Sequence, residues 1–299
     1  MGLNKINGNT YYIDSPTNIG VYAFKDKYCL LVDTGINNTV AGKFDGFLGE
    51  AGLKPKYIIN THNHNDHSGA NRYFYEHHPG CIFYASLGES LFIENDSLFQ
   101  TYLYGAKPIK ELKKRNGKYR GMNVDVIPEY GTNKINNEKF EILPLPGHSI
   151  EQIGVATPDK VCFAGDGLFS ESILKKYPFP FLFDIEDQLN TIEYIKTLEY
   201  DHYILSHGDK VYDTRQIRAL ADKNKAMIYK HLDDIKELLS QPLTREELLE
   251  QVCILNSISL DFRDYFLCFA SMGAFIAYLY NNDLLSYDVE DGKLYYYMK

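Results

Sequence analysis

The sequence has no tryptophan, no Cys-x-x-Cys pair, no internal repeat and no apolar run of about 18 residues, and several of these gaps exclude something. Without such a run there is no candidate membrane span. The five cysteines (Cys29, Cys81, Cys162, Cys253, Cys268) are scattered and odd in number, which argues against a disulfide framework and fits a reducing compartment. Met1-Gly2-Leu3-Asn4-Lys5-Ile6 lacks the apolar core of a signal peptide, so the expectation is a cytoplasmic protein with no membrane attachment. Excess positive charge is missing too: the net charge of −9 disfavours non-specific attraction to nucleic acid, though not a local basic groove. With 44% apolar and 24% charged residues over 299, the chain is an ordinary globular protein, large enough for one big domain or two unequal ones. Its aromatic surface is carried by 25 tyrosines and 17 phenylalanines, most of them read as core.

What the chain does have is Thr61-His62-Asn63-His64-Asn65-Asp66-His67-Ser68-Gly69. Three histidines and an aspartate fall within six residues in the spacing H-x-H-x-D-H, a density of imidazole that a packed core does not call for and a metal does. In an extended or looping backbone, side chains at i and i+2 lie on one side, so His62 and His64 can point at one ion while Asp66 and His67 turn toward a second. Each ion wants about four or more ligands, with one position kept for water in a catalytic site. Three glycine-bearing loops that follow apolar runs offer the remainder: Pro146-Gly147-His148-Ser149, Ala164-Gly165-Asp166-Gly167 and Ser206-His207-Gly208. His77, His78, His202 and His231 are read as ordinary core or surface histidines.

This constellation resembles the metallo-β-lactamase superfamily of metal-dependent hydrolases over roughly the first two-thirds of the chain, and Leu31-Val32-Asp33-Thr34-Gly35 is similar to that family's first motif. The resemblance implies that His62, His64 and His148 hold a first metal, that Asp66, His67 and His207 hold a second, and that Asp166 bridges the two. It implies two divalent ions per chain, zinc first, with iron or manganese also suited to imidazole and carboxylate donors. Asp66 would in addition act catalytically, orienting the metal-activated water or passing its proton to the leaving group, and Asp33 would steady a ligand histidine by hydrogen bonding. Because no cysteine enters the second set, the site looks like the glyoxalase II and lactonase type rather than the antibiotic-destroying enzymes.

The fold class expected is α/β: an αββα sandwich of the metallo-β-lactamase type, with a mainly helical, winged-helix-like C-terminal domain. Strands are read at 10–13, 19–24, 28–32, around 57–59 and at 81–85, and a helix over 40–51 is stopped by Gly52. A short helix follows the ligand cluster at 68–77. A strand pair at 153–157 and 161–164, a helix over 186–200 and a strand at 203–205 complete the catalytic unit, 1–214. Between 88 and 131 the pattern loosens into an insertion, and over 107–120 its lysines and arginines (Lys107, Lys110, Lys113, Lys114, Arg115, Lys118, Arg120) stand against Glu111 alone. Lys113 and Lys114 are candidate holders of an anionic substrate tail. Prolines in Tyr177-Pro178-Phe179-Pro180-Phe181 stop helix and strand, leaving a stiff aromatic loop over 169–183 whose Tyr177, Phe179 and Phe181 are candidate substrate contacts. Over 215–299 a long helix, a second opened by the capping box at Thr244 to Glu247, a third over 260–281 and a terminal hairpin suggest the winged-helix-like unit. Its last helix has no Lys or Arg from Asp264 to Asn282, which argues against reading nucleic acid; its apolar excess suits packing on the catalytic domain or in a homodimer.

The function expected is therefore metal-dependent hydrolysis of a small-molecule thioester, ester or lactone by a metal-bound hydroxide. A phosphodiesterase or ribonuclease of the same superfamily is the alternative, supported by the basic insertion. A mononuclear iron persulfide-type oxygenase, or a non-catalytic ligand-binding regulator, is the further one.

Overall fold

The computed structural model of the chain describes residues 2–95, 97–114 and 121–299. In the first of two large sheets, β1 (Leu3–Asn7), β2 (Thr10–Ile13), β3 (Ile19–Ala23) and β4 (Tyr28–Val32) form an antiparallel meander, which β5 (Lys54–Ile59) and β6 (Ile82–Tyr84) extend in parallel. In the second, β7 (Gly131–Ile135), β8 (Glu138–Pro144), β9 (Ile153–Ala156) and β10 (Val161–Phe163) are antiparallel neighbours, and β11 (His202–Ile204) lies parallel to β10 at the edge. Parallel steps need crossover connections. Helix α1 (Asn38–Glu50) carries the chain from β4 to β5, and α2 (Asn65–Ser68) and α3 (Asn71–His77) carry it from β5 to β6. Helices α4 (Leu87–Glu94), α5 (Leu98–Tyr104) and α6 (Lys110–Lys114) lie in the segment before β7, and α7 (Glu171–Lys176) and α8 (Ile185–Thr197) join β10 to β11. Then come α9 (Thr214–Leu238), α10 (Arg245–Leu255), α11 (Phe262–Asn281) and the hairpin of β12 (Leu285–Glu290) with β13 (Lys293–Met298).

The period-2 alternation of each strand decides the layering. In β4, Leu30 and Val32 share a buried cluster with Phe140, Ile142, Val155 and Phe163 of the facing sheet, whereas Cys29 and Leu31 pack with Ala41, Phe44 and Leu48 of α1. Both faces are covered, which is why 28–32 reads as an unbroken apolar run rather than an alternating one. Each such side chain contributes roughly 1.5–3 kcal/mol by leaving water. The two sheets meet tightly at Gly20, where a Cβ would stand 2.8 Å from the Phe163 ring. Gly20→Ala should therefore lower stability by about 1–3 kcal/mol through overpacking, read as a fall in melting temperature; an unchanged melt would mean that the sheets part there freely.

The outer face of the second sheet is continuous with the C-terminal helices: Leu145 and Leu205 belong to the same buried cluster as Leu232, Leu248, Met272, Phe275 and Leu285. Helices α9 and α10 each begin on a capping box, Asp213 with Gln216 and Thr244 with Glu247. Leu243 pairs with Tyr296 through two backbone hydrogen bonds, anchoring the hairpin to the start of α10. Among the described residues, no helix is long and apolar enough to cross a membrane.

Two local expectations are corrected. The helix read over 68–77 is two helices with a break at Gly69-Ala70, so Asp66 and His67 sit inside the short α2 rather than on a turn. The stretch 169–183 holds α7, which ends where Pro178 keeps Tyr177 out of helical backbone; only the part after it is an irregular aromatic loop.

Candidate metal centre

Strand ends gather the functional loops. Two antiparallel steps separate β8 from β10, and β11 runs parallel to β10, so all three point the same way; His148, Asp166 and His207 lie just beyond their C-terminal ends. Asp33 follows β4 and the histidine cluster follows β5. The backbone amide of Ile153 donates to Thr61 O at 2.9 Å, and that of Asn18 donates to Ser206 O at 2.7 Å, tying the loops of one sheet to those of the other. Only glycine fits before His148. Gly147 has φ +119°, and a Cβ there would fall 2.3 Å from the backbone nitrogen of Gln188 in α8.

Hydrogen bonds on the far side of each imidazole decide which nitrogen faces inward. Asp33, in left-handed backbone at φ 66°, accepts from the Thr61 amide, the Thr61 hydroxyl and His67 Nδ1–H, each at 2.8 Å. Since the Thr61 hydroxyl proton goes to Asp33, its oxygen is left to accept from His62 Nδ1–H at 3.1 Å. His148 Nδ1–H donates to Phe181 O at 3.1 Å, and His207 Nδ1–H donates to Pro16 O at 2.8 Å. These four histidines therefore present bare Nε2 atoms to one point. His64 instead presents Nδ1, 3.0 Å from Nε2 of both His62 and His148.

The carboxylates complete the set. Asp66 Oδ2 lies 3.1 Å from His207 Nε2 and 3.7 Å from His67 Nε2, and Asp166 Oδ2 lies 3.4, 3.6 and 3.5 Å from Nε2 of His148, His67 and His207. The donor atoms form three overlapping groups, His62/His64/His148, His62/His67/Asp166 and Asp66/His67/His207, the atoms of each lying within 4.8 Å of one another. His67 Nε2 is buried without a hydrogen-bond partner and looks at two carboxylates. Lone pairs facing lone pairs require positive charge between them, either protons or a cation. Three uncharged imidazoles beside two imidazoles with two carboxylates is a donor chemistry that suits zinc, iron or manganese, so the residues fit a metal.

Protons take that role when no ion is bound. Burial pushes His67 down, but Asp166, Asp33 and Asp66 outweigh it and carry its pKa well above the usual range. His207 is pushed up to about 9, its burial opposed chiefly by Asp166 and by the Asp66 hydrogen bond. Burial alone would raise Asp66 and Asp166, yet the surrounding histidines hold both carboxyls well below the usual carboxylate range. His62 and His64 are lowered by burial and by the neighbouring imidazoles, and His148 by burial against the pull of Asp166. A pH signature follows for the metal-free chain. His207, raised in the fold, contributes stability that is complete below its unfolded value of ~6.5 and is lost as pH rises through about 9. The depressed aspartates contribute stability present above ~3.9 and lost as pH falls. His62, His64 and His148, lowered in the fold, contribute stability present above ~6.5 and lost as pH falls below it. A melting series in chelator should therefore peak at about pH 6.5 and decline both toward pH 4 and toward pH 10; a higher melting temperature at pH 10 than at pH 6.5 would contradict this pairing.

The centre opens into a cavity of about 860 Å³ walled by Phe99, Phe169, Tyr177, Phe179 and Phe181 and, from the C-terminal region, by 257–260, Arg263 and Leu267. Three of these rings stand against the cluster: Phe99 and Phe181 with ring centroids 5.0 and 5.3 Å from His64, and Phe169 and Phe181 with centroids 5.6 and 5.8 Å from His148. Phe179 is wall and core at once, stacked on Phe275 and edge-on to His231, whose Nε2–H donates to Pro178 O at 2.6 Å. Lys113 is exposed on α6 and is not among the described residues lining the cavity; Lys114 ends that helix, and Arg115, Lys118 and Arg120 lie outside the described residues. Among the described residues, the lysine and arginine that line the cavity are Lys176 and Arg263, neither singled out from sequence. Sequence reading also passed over Glu89 of α4. This fully buried carboxylate accepts from Asn63 and Ser149 beside the cluster; burial pushes its pKa up while those donors oppose it. One acid among the six of the 88–131 segment, whose visible signal was the basic run at 107–120, had nothing to pick it out.

A protein whose sandwich fold gathers seven histidine and aspartate donors at one mouth, fit to hold metal, is the class that the fold and the site define. The family model of the metallo-beta-lactamase superfamily matches residues 12–207, and the chain belongs to that superfamily. A curated relative, hydroxyacylglutathione hydrolase of Buchnera aphidicola subsp. Baizongia pistaciae (strain Bp), is 29% identical over 145 residues, 48% of this chain; the chain spans only 44% of that relative's length. Among solved structures, a beta-lactamase domain protein from Burkholderia ambifaria superposes with a TM-score of 0.75 at 15% identity, over 99% of this chain and 93% of the other. A metallo-beta-lactamase family protein from Thermus thermophilus gives 0.73 at 20% identity, over 97% and 99%. A metallo-beta-lactamase from Cronobacter sakazakii (Enterobacter sakazakii) gives 0.62 at 17% identity but covers 78% of this chain and 95% of its own. These are likenesses of fold, and the first two extend it through nearly the whole chain.

Proposed function

We propose that the chain hydrolyses a carboxylic thioester, ester or lactone at a dinuclear site, with zinc the first choice of metal. His62, His64 and His148 would hold one ion, Asp66, His67 and His207 the other, with Asp166 between them. Divalent ions bound there supply a water of lowered pKa and polarise the substrate oxygen. Asp66, whose side chain is 36% exposed and held toward the centre by His207, would orient the attacking water and carry its proton to the leaving group. Asp33 keeps His67 Nε2 bare, and the Phe181 and Pro16 carbonyls do the same for His148 and His207.

The observation that carries this reading is the pair of three-donor groups around Asp166 at the floor of a cavity whose walls include Phe99, Phe169, Tyr177, Phe179 and Phe181, surfaces that suit an acyl or aryl group. The name of the curated relative supports a thioester within that class. On this reading residues 1–214 are the catalytic unit of a cytoplasmic enzyme. The winged-helix-like 215–299 serves it as a wall of the cavity rather than as a reader of nucleic acid. A panel of thioesters, lactones, aryl esters and phosphodiesters, run with stripped and zinc-reloaded protein, tests it. Turnover is expected on the carboxylic substrates only; nuclease activity without thioesterase activity would reverse the reading.

A further inference from the structure

We infer that Glu89 is the positioning residue of the three-histidine group, a single carboxylate that locks the loop carrying His62 and His64 to the loop carrying His148. The inference rests on the reading of those histidines as metal ligands. Glu89 lies in the first turn of α4 and is 0% exposed. Its Oε2 accepts from the backbone amide of Asn63 at 2.8 Å and from the Asn63 side-chain amide; its Oε1 accepts from Ser149 Oγ at 2.6 Å and from the Glu151 amide at 3.0 Å. Asn63 stands between His62 and His64, and Ser149 follows His148. Two donors on each loop thus converge on one side chain that belongs to neither.

The chemistry of the contact requires a carboxylate. All four neighbours donate, so both oxygens must accept, which an amide of the same shape cannot do. Among the described residues no Lys or Arg forms an ion pair with Glu89, so these hydrogen bonds are what offset the cost of burying it. Helix α4 is fastened to the same loop a second time: Ser86 Oγ–H donates to Glu151 O at 2.6 Å, and the Gly88 amide donates to the Glu151 carboxylate. The Asp66/His67/His207 group is braced differently, by Asp33 on His67 and by the Pro16 carbonyl on His207, with no contact from Glu89. Asp33 also reaches His62 through the Thr61 hydroxyl, but among the described residues the Glu89 carboxylate bonds only to the loops that carry His62, His64 and His148, so losing Glu89 should be felt at the three-histidine group.

Zinc titration of the chelator-stripped 299-residue chain against a chromophoric competitor reads this directly. The starting protein should take up two zinc ions. Glu89→Gln, which turns an NH2 group onto two donors, should weaken one uptake step by about 10–100-fold and leave the other unchanged. Ser149→Ala, which removes one of the four donors, should weaken the same step by less, and it carries the test if Glu89→Gln does not fold. In a His207→Ala background the surviving step belongs to the three-histidine group, and adding Glu89→Gln must weaken it. A residue needed only for folding would lower the metal-free melting temperature and weaken both steps alike, which overturns the inference, as do unchanged steps in both variants. If the unmodified chain binds no zinc, the metal reading itself fails; if it binds two and Glu89→Gln binds both as tightly, only the positioning role fails.

Discussion

Replacing His64 by alanine is expected to lower kcat/KM on any carboxylic ester or thioester that the chain cleaves by about 10³-fold or more, with the fold intact. His64 Nδ1 stands at 3.0 Å from the Nε2 atoms of both His62 and His148, so its removal leaves that group one donor short. Lewis-acid activation is worth several kcal/mol of barrier, and about 4 kcal/mol is already a factor of 10³. Stability should hardly change, for a physical reason. The far nitrogen, Nε2, is buried without a partner, and the ring is kept uncharged by burial among other imidazoles, so little favourable bonding is lost with it. Activity and melting temperature should therefore separate: the first collapses and the second stays. Retained turnover in a well-folded His64→Ala protein would end the metal mechanism.

Asp33→Asn is expected to weaken zinc at the Asp66/His67/His207 group by about 10–100-fold while leaving the protein folded. Asparagine tolerates the left-handed backbone at this position, so the turn after β4 survives. Its amide oxygen can still accept from Thr61, but its NH2 then faces His67 Nδ1. To accept from that NH2, His67 must move its proton to Nε2, the atom that should ligate. The wrong tautomer, rather than a lost contact, is what lowers affinity. Asp33→Ala goes further, orphaning three buried donors at a cost of about 3–5 kcal/mol. Competition titration and thermal melting distinguish the two variants; equal zinc affinity in Asp33→Asn and the unmodified chain would remove the tautomer argument.

The site was legible in the sequence to the extent that its donors are dense or follow strands. The spacing of His62, His64, Asp66 and His67 announced a ligand cluster, and His148, Asp166 and His207 each follow an apolar run closed by glycine; the structure brings all seven side chains together. The start of α10 could be read because the Thr244/Glu247 box is local chemistry. What could not be read is chemistry made by topology. The bond from Glu89 to Ser149 joins residues 60 positions apart and nothing local marks that acid, whereas the bond from Asp33 to His67, 34 positions apart, is expected only through the resemblance of Leu31 to Gly35 to a family motif. The cavity wall supplied by Arg263 and 257–260 is likewise a product of how α11 packs beside the aromatic loop. Charge density pointed instead at Lys113, which is exposed on a helix apart from the cavity lining; a run of like charge marks solvated surface more readily than a site. Phe179 illustrates the same limit, since one ring serves the core and the cavity together.

Metal content measured alongside turnover tests the central claim most directly. The account predicts about two divalent ions per chain in active protein, loss of ester or thioester hydrolysis when a chelator removes them, and its return when zinc is restored. Full hydrolysis by the metal-free chain, or a single iron per chain without any hydrolysis, would contradict it.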